Sequence, residues 1–278
     1  MKSELSVTLI DVGWGDSIFL ESRDKEGNTF YALVDSNDTT YLKSSYIFLK
    51  RYFEKKGLEP SEKKHIFEFV ILTHAHADHG QGLKAIFRAF GTKNFWYPKS
   101  LNWSSLADLL RYSNRYDRVL HHQAVDNTRL LPDFGDVKMD ILWPPDDEID
   151  TDNENNNSIV LVLKLNNVSF LLTGDAEKEV WQRIAEHIPA DTRFFKVPHH
   201  GSINGTFDGN HTPWLDRCPQ NAVLAISSHV RPFNHPSRKV VTLLDSRQRE
   251  YYRTDRHYNI TIWTDGEKVS VKYFHEKD

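Results

Sequence analysis

Three histidines and a carboxylate fall within six residues, His74-Ala75-His76-Ala77-Asp78-His79, directly after the apolar run Phe69-Val70-Ile71-Leu72. Imidazole nitrogen and carboxylate oxygen together suit a borderline divalent metal. The small alanines between them leave room for a cation. If the chain leaves a strand at Leu72 and turns into a helix near Gly80, all four groups point into one volume. That volume lies beyond the carboxyl end of the strand, where open α/β sheets place their ligands. A polar turn with solvated histidines needs no such spacing, so the cluster reads as a metal site.

Four more segments carry metal-type or substrate-type side chains, each in a loop beside an expected strand or helix. Asp11-Val12-Gly13-Trp14-Gly15-Asp16 has glycines that permit a tight turn and a carboxylate at each end. Leu172-Thr173-Gly174-Asp175 ends in a carboxylate able to bridge two cations. Val197-Pro198-His199-His200-Gly201-Ser202 offers two imidazoles, and Asn234-His235-Pro236 one more. Each alone is ordinary turn sequence. Together with the His74 cluster they line up metal-type groups at successive strand ends, the arrangement expected of a catalytic centre.

Elements that position these groups are legible from hydrophobic periodicity. Strands are expected at residues 6–10, 17–21, 29–34 and 69–72, with helices over 41–56 and 81–90. The second half predicts strands at 137–142, 159–165, 168–172, 194–197 and 222–226. Helices are expected over 176–187 and 237–247, and two last strands at 260–263 and 269–273. Both halves are strand-rich and then helical, which suggests two packed sheets with helices outside. The acidic, Asn-rich tract 146–157 reads as an exposed loop.

With 278 residues, 39% hydrophobic and 27% charged, the chain has material for a large core and is expected to form a single domain over 1–278. No apolar run approaches the roughly 20 residues of a membrane span, and no signal-peptide pattern opens the chain. Cys218 is the only cysteine, so no intrachain disulfide forms; it reads as structural, and a reducing cytoplasm is expected. The formal net charge is −4, yet residues 231–257 hold Arg231, Arg238, Lys239, Arg247, Arg249, Arg253 and Arg256 against three carboxylates. Such a basic strip beside a metal site suits a polyanion.

The same segments give the chain a family resemblance. Asp11-Val12-Gly13-Trp14-Gly15-Asp16-Ser17, Thr73 to His79, Asn155-Asn156-Asn157-Ser158, Thr173-Gly174-Asp175, Pro198 to Ser202, Asn234-His235-Pro236 and Tyr252-Arg253-Thr254-Asp255 occur in that order. It resembles the metallo-β-lactamase fold hydrolases, and more narrowly the hydrolase domain of the competence proteins that form a DNA-uptake channel. This likeness implies an α/β fold, a four-layer αββα sandwich of two mixed sheets with helices on the outer faces. Also implied are two divalent metal ions, Zn²⁺ or Mn²⁺, with His74 and His76 on the first, Asp78, His79 and one of His199 or His200 on the second, His200 being favoured, and Asp175 bridging. His199 is then expected at the phosphate or leaving group. Asp16, Asn156, Ser158, Ser202, Arg231, Asn234 and Arg253 are expected to bind substrate.

This chain departs from the family pattern in three respects. Near Asn156 many family members place a third histidine for the first metal, whereas the competence-type branch, like this chain, does not. Trp14 stands where that branch often has a small or amide residue. No channel segment accompanies the domain here, so the chain is expected to be a free-standing relative to which DNA uptake is not carried over.

The expected reaction is hydrolysis of a phosphodiester by a water activated between two cations, with Asp78 orienting it and His199 or His235 assisting the leaving oxygen. Nucleic acid, DNA first, is the expected partner. Three other readings compete. One is a small-molecule metallohydrolase, such as a phosphorylcholine-type esterase or a lactonase. Another is an effector nuclease of a defence system, controlled by a protein partner from the same operon. The third is a non-catalytic module with a closed structural metal, which the open first-metal site disfavours.

Overall fold

The computed structural model describes residues 1–39, 41–58, 65–100 and 104–273. Its first half holds β1 (Glu4–Leu9), β2 (Ile18–Arg23), β3 (Thr29–Val34), α1 (Ser44–Lys55), β4 (Phe67–Ile71), α2 (Ala77–Gly80) and α3 (Leu83–Phe90). Then come β5 (Thr92–Tyr97), α4 (Ser104–Arg115), β6 (Val119–Ala124), β7 (Lys138–Trp143), β8 (Val160–Leu165), β9 (Val168–Leu172) and α5 (Lys178–Ile184). The rest comprises β10 (Thr192–Lys196), α6 (Pro213–Arg217), β11 (Val223–Ile226), α7 (Arg238–Ser246), β12 (Tyr251–Arg253), α8 (Thr254–His257), β13 (Ile260–Thr264) and β14 (Val269–Tyr273).

Two mixed sheets result. One has the order β14-β13-β1-β2-β3-β4-β5-β6, the other β12-β11-β10-β9-β8-β7. Side-chain alternation along each strand decides what the sheets bury. Phe69 and Ile71 of β4 face the second sheet, while Val70 between them faces helices. In β10, Phe194 points between the sheets and Phe195 outward. The shared inner core takes Leu5, Val7 and Leu9 from β1 and Leu161, Leu163 and Leu165 from β8.

Leu49 and Phe53 of α1 and Ile86, Phe87 and Phe90 of α3 cover the outer face of the first sheet. Trp181 of α5, Trp214 of α6 and Leu244 of α7 cover the second. The architecture is therefore the αββα sandwich, built by strands that are apolar on both faces. Truncating a central side chain such as Phe69 to Ala should cost about 3–5 kcal/mol, since the packed layers cannot close over the cavity.

Between residues 91 and 136 the sequence reading assigned nothing, and there the structure has β5, α4 and β6. β6 is an edge strand with one neighbour, so its exposed residues, Leu120 and His121 among them, break the alternation. The three-residue β12 was missed for its shortness. The tract 146–157 needs correction too: residues 146–149 are exposed, but Glu154–Asn157 form a 3₁₀ turn with Asn156 and Asn157 buried. Cys218 is buried, and no helix among the described residues is long and apolar enough to cross a membrane. Strands β3 to β6 run parallel, as do β9 to β12, so their carboxyl ends open toward one another's loops.

Candidate metal centre

The first sheet supplies the His cluster at the end of β4. Thr73 is held by Asp35, at the end of β3, which accepts from its N–H at 2.7 Å and its Oγ1 at 2.7 Å. His74 is buried, and its Nε2 lies 3.1 Å from Nδ1 of His76, the extended residue that starts α2. This single turn then points Asp78 and His79 the same way. His79 Nδ1 sits 2.8 Å from Asp35, which fixes the ring so that Nε2 faces Asp175 at 3.3 Å and Asp78 at 3.6 Å. Orienting a ligating imidazole by a carboxylate on its far nitrogen is a common device of metal sites. Gly15 locks the β1–β2 loop against this turn: a Cβ there would come within 2.3 Å of the Asp78 carbonyl.

The second sheet supplies the facing groups. Asp175 follows β9, and its N–H donates to Ser158 Oγ at 2.9 Å. After β10, His199 and His200 both adopt left-handed φ, 46° and 52°. Non-glycine residues in that region are strained by about 1–3 kcal/mol each and cluster at functional sites. His200 Nδ1 donating to the Ser227 carbonyl, 3.0 Å away, turns its Nε2 to Asp175 at 3.1 Å and Asp78 at 3.7 Å. Gly201 must be glycine, since a Cβ would lie 2.7 Å from the Pro236 ring, so the Asn234-His235-Pro236 loop seats directly on it.

The donor set fits a divalent cation. Asp78, His79, Asp175 and His200 each offer a ligand atom within 4.8 Å of the others, and all four are buried. His79 Nε2, His200 Nε2 and Asp175 Oδ1 have no hydrogen-bond partner, a state that buried polar atoms rarely keep without a further ligand. Two nitrogens and two carboxylates are the donors a borderline metal takes. In the absence of a cation, protons carry the balancing charge. Burial opposes a charged His200, but Asp175 and Asp16 hold its pKa up to about 10. His79 is likewise raised, against burial, by Asp175, Asp35 and Asp78. Burial, with His79 beside it, pushes His74 well below the usual imidazole range, leaving it neutral and free to ligate.

A buried lysine completes the electrostatics. Lys196 Nζ lies 2.7 Å from Asp16, 3.8 Å from Asp175, and donates to the Gly174 carbonyl at 2.9 Å. Burial disfavours its charge, but Asp16 and Asp175 more than restore it. The ammonium thus ties the β1–β2 loop to the β9 end beneath the cluster.

His74, His76, Asp78, His79, Asp175 and His200 are brought together. His199 lines the edge, 20% exposed, with Nε2 3.9 Å from Asp175 and Nδ1 2.8 Å from Glu177. His235 is half-buried with its ring 5.7 Å from that of His199; burial, then the neighbouring His200 and His199, push its pKa down to about 4. Arg231 and Asn234 are exposed. The remaining expected substrate contacts are turned to the protein instead. Asp16 pairs with Lys196, Ser158 accepts from Asp175, and Asn156 donates to Asp150 at 2.9 Å. Ser202 caps Gly205, and Arg253 pairs with Asp255 at 2.6 Å. All five are buried, which suits positioning rather than contact with substrate.

Asp35, Lys196 and Glu177 had no role in the sequence reading. Each stands at a strand end or beside a motif, but its partner lies far away in sequence. The basic strip also needs revision. Arg249 is buried, donating to the carbonyls of Cys218 at 3.0 Å and Pro219 at 2.8 Å, and Arg247 pairs with Asp216 at 3.2 Å. Arg231, Arg238, Lys239 and Arg256 remain exposed.

The profile of the metallo-beta-lactamase superfamily matches residues 6–208. ComE operon protein 3 of Bacillus subtilis strain 168 is 28% identical over 270 residues, which cover 94% of this chain and 33% of that protein. The uncharacterized protein YcaI of Escherichia coli K12 is 29% identical over 177 residues, 62% of this chain and 20% of that one. The chain thus spans about a third or less of these curated relatives. Among solved structures, human short-form tRNase Z overlaps 80% of this chain and 91% of its own at 14% identity, with a TM-score of 0.42. An overlap that loose carries nothing about activity.

Proposed function

The chain belongs to the metallo-beta-lactamase superfamily of hydrolases, and from that premise we propose that it is a two-metal phosphodiesterase that cuts DNA. The observation that carries this proposal is the buried set Asp78, His79, Asp175 and His200, whose ligand atoms face one another. Asp78, His79 and His200 would hold one cation, His74 and His76 the other, and Asp175 both. Bound there, divalent cations supply a water acidic enough to ionise near neutrality and polarise a phosphoryl oxygen.

What the chain itself does follows from its placements. Asp35 and the Ser227 carbonyl fix the two imidazole tautomers on the second site. Lys196 sets a buried ammonium against Asp16 and Asp175. His199 stands at the edge of the cleft with Nδ1 2.8 Å from Glu177; burial would raise the Glu177 carboxyl, but this contact and the Asn155 amide hold it below its ordinary value. A proton held near the leaving oxygen is what ester cleavage needs. Burial and the neighbouring His200 and His199 hold the His235 pKa down to about 4, which weighs against its being the proton donor of the pair His199 and His235. The exposed Arg231, Arg238, Lys239 and Arg256 supply cations for a polyanionic backbone.

A panel of single-stranded DNA, duplex DNA, RNA and bis(p-nitrophenyl) phosphate, with Mn²⁺, Zn²⁺ or EDTA, tests the proposal. Metal-dependent cutting of DNA, abolished in Asp78→Ala and His79→Ala, is the expected result. Undiminished cutting by those variants removes the proposed site. A second reading, a small-phosphodiester hydrolase, is favoured by the inward commitment of Arg249 and Arg253, which thins the basic strip. Turnover of the chromogenic ester with no polymer cut would establish it.

A further inference from the structure

Two aromatic side chains at the cleft belong to none of the three apolar cores: Trp14 and Phe233. Their ring centroids are 5.0 Å apart. Phe233 is 55% exposed and lies 6.3 Å from the His235 ring at 28°, nearly parallel to it. His235 is in turn 5.7 Å from His199, and His199 Nε2 is 3.9 Å from Asp175. A line of rings therefore runs from the metal-facing carboxylate out to the surface.

Both ends of this line are anchored to elements that bear the metal-facing groups. Trp14 lies between Gly13 and Gly15, at φ of 75° and 92°, and its carbonyl accepts from the Asn37 amide. Gly15 packs on the Asp78 carbonyl, so the backbone that carries Trp14 is seated against the turn that carries Asp78. On the other side, Asn234 is left-handed at φ 63° and Pro236 rests on Gly201, next to His200. Arg231, two residues before Phe233, is exposed. The rim thus offers two adjoining aromatic faces, tilted at 51° to each other, with Phe233 the more exposed and a cation beyond it.

We propose that Trp14 and Phe233 form a stacking platform for an unpaired nucleobase adjacent to the scissile phosphate, with Arg231 meeting the next phosphate. This rests on the phosphodiesterase reading above and adds to it a substrate class, single-stranded nucleic acid. The chemistry is selective. A base has an apolar π-face that matches an aromatic wall, whereas the sugar-phosphate backbone has none. A base within a duplex has both faces already stacked and must be unstacked to use the wall.

The test separates base from backbone. Anisotropy measures binding of fluorescein-labelled oligothymidylate, and of an abasic oligomer of equal length, to the protein in EDTA. kcat/KM for both oligomers is measured with Mn²⁺. Each stacked base contributes about 5- to 150-fold in affinity, so the wild type should prefer oligothymidylate by at least about fivefold. Phe233→Ala should erase that preference, leave the abasic oligomer unaffected, and act on KM rather than kcat. Phe233→Trp should restore it. As the side chain is largely exposed, folding should not change, and a thermal melt confirms this. Oligouridylate and its abasic counterpart distinguish RNA from DNA as the source of the base, and base dependence in either supports the platform. Equal losses on intact and abasic oligomers, or none, overturn it. If DNA is cut but binding ignores the base, only the platform fails. If no phosphodiester is cut while Phe233 still governs a base preference, the platform stands and the phosphodiesterase reading falls.

Discussion

The metal-facing cluster and the basic strip were both conspicuous as runs of one residue chemistry, yet they fold in opposite ways. His74 to His79 occupy a strand end and one helical turn, so neighbours in sequence are neighbours in space. Residues 231–257 cross a loop, α7, β12 and α8, and their cations part company. Arg249 satisfies carbonyls in the interior and Arg253 closes on Asp255, while Arg231 and Arg256 stay outside. A buried cluster of imidazole and carboxylate gathers the donors that suit a shared cation. An arginine has two roles open to it, because its guanidinium serves equally as a phosphate contact and as a donor to buried carbonyls. Compact motifs therefore transfer from sequence to space, and dispersed charge counts do not.

The sharpest way to break that contrast is at Asp175. Its carboxylate meets His79, His200 and Lys196 from three sides. Asp175→Ala should lower metal-dependent phosphodiesterase activity by on the order of a thousandfold, the scale of losing a group aimed at a reacting centre. Metal content after dialysis should fall with it. An active, metal-replete Asp175→Ala protein would mean that the cluster is an ion-pair knot and not a metal centre.

Arg249 comes next, as the member of the strip that has defected to the core. Replacing it by Met leaves the Cys218, Pro219 and Ala222 carbonyls without their donor. Each unpaired buried acceptor is costly, so Arg249→Met should destabilise folding by about 2–4 kcal/mol in urea titration. Salt dependence of nucleic-acid binding should not change. A change in that slope without loss of stability would return Arg249 to the strip.

Most of the sandwich was legible because strands buried on both faces write continuous or alternating apolar runs, as Phe69 to Leu72 and Val160 to Leu165 do. The edge region was not, since β6 has solvent on one side and α4 buries only Leu106, Leu109 and Ser113. Within the site, residue types pointed to the six imidazole and carboxylate side chains that the fold brings together. Their supports stayed hidden: Asp35 lies 44 positions from His79, and Lys196 finds Asp16 from the opposite sheet. Nothing local in sequence marks such partners. The same remoteness hid the protein partners of Asp16, Asn156 and Ser158, which were read as substrate contacts.

A pH titration sharpens the reading of the cluster without any substitution. In metal-free protein the folded pKa of His200 is about 10, against 6.5 for an ordinary imidazole. Its proton therefore stabilises the fold fully below about pH 6.5, and that contribution is lost as pH rises through about 10. Metal binding must expel this proton and that of His79, so affinity should climb over the same range. In EDTA the thermal midpoint should fall between about pH 6 and pH 9.5. With Mn²⁺ the gap between the two midpoints should widen. A midpoint in EDTA that stays flat would show neutral imidazoles, and the facing carboxylates would need another source of charge.

Arg231 carries the smallest expected effect and the most specific one. It is exposed, beside Phe233 and clear of the metal-facing groups, so Arg231→Ala should leave stability within about 0.5 kcal/mol. If its guanidinium meets a phosphate, the variant gives up one counterion-releasing contact. The slope of log K against log salt on a single strand should then become shallower by about 0.7. Arg249→Met should show the mirror image, lost stability and an unchanged slope. The pair of measurements assigns each arginine to solvent or core by what it does, which a count of charges along residues 231–257 cannot. Were both variants to shift the slope alike, the strip would be one surface after all, and the burial of Arg249 would have to open when nucleic acid binds.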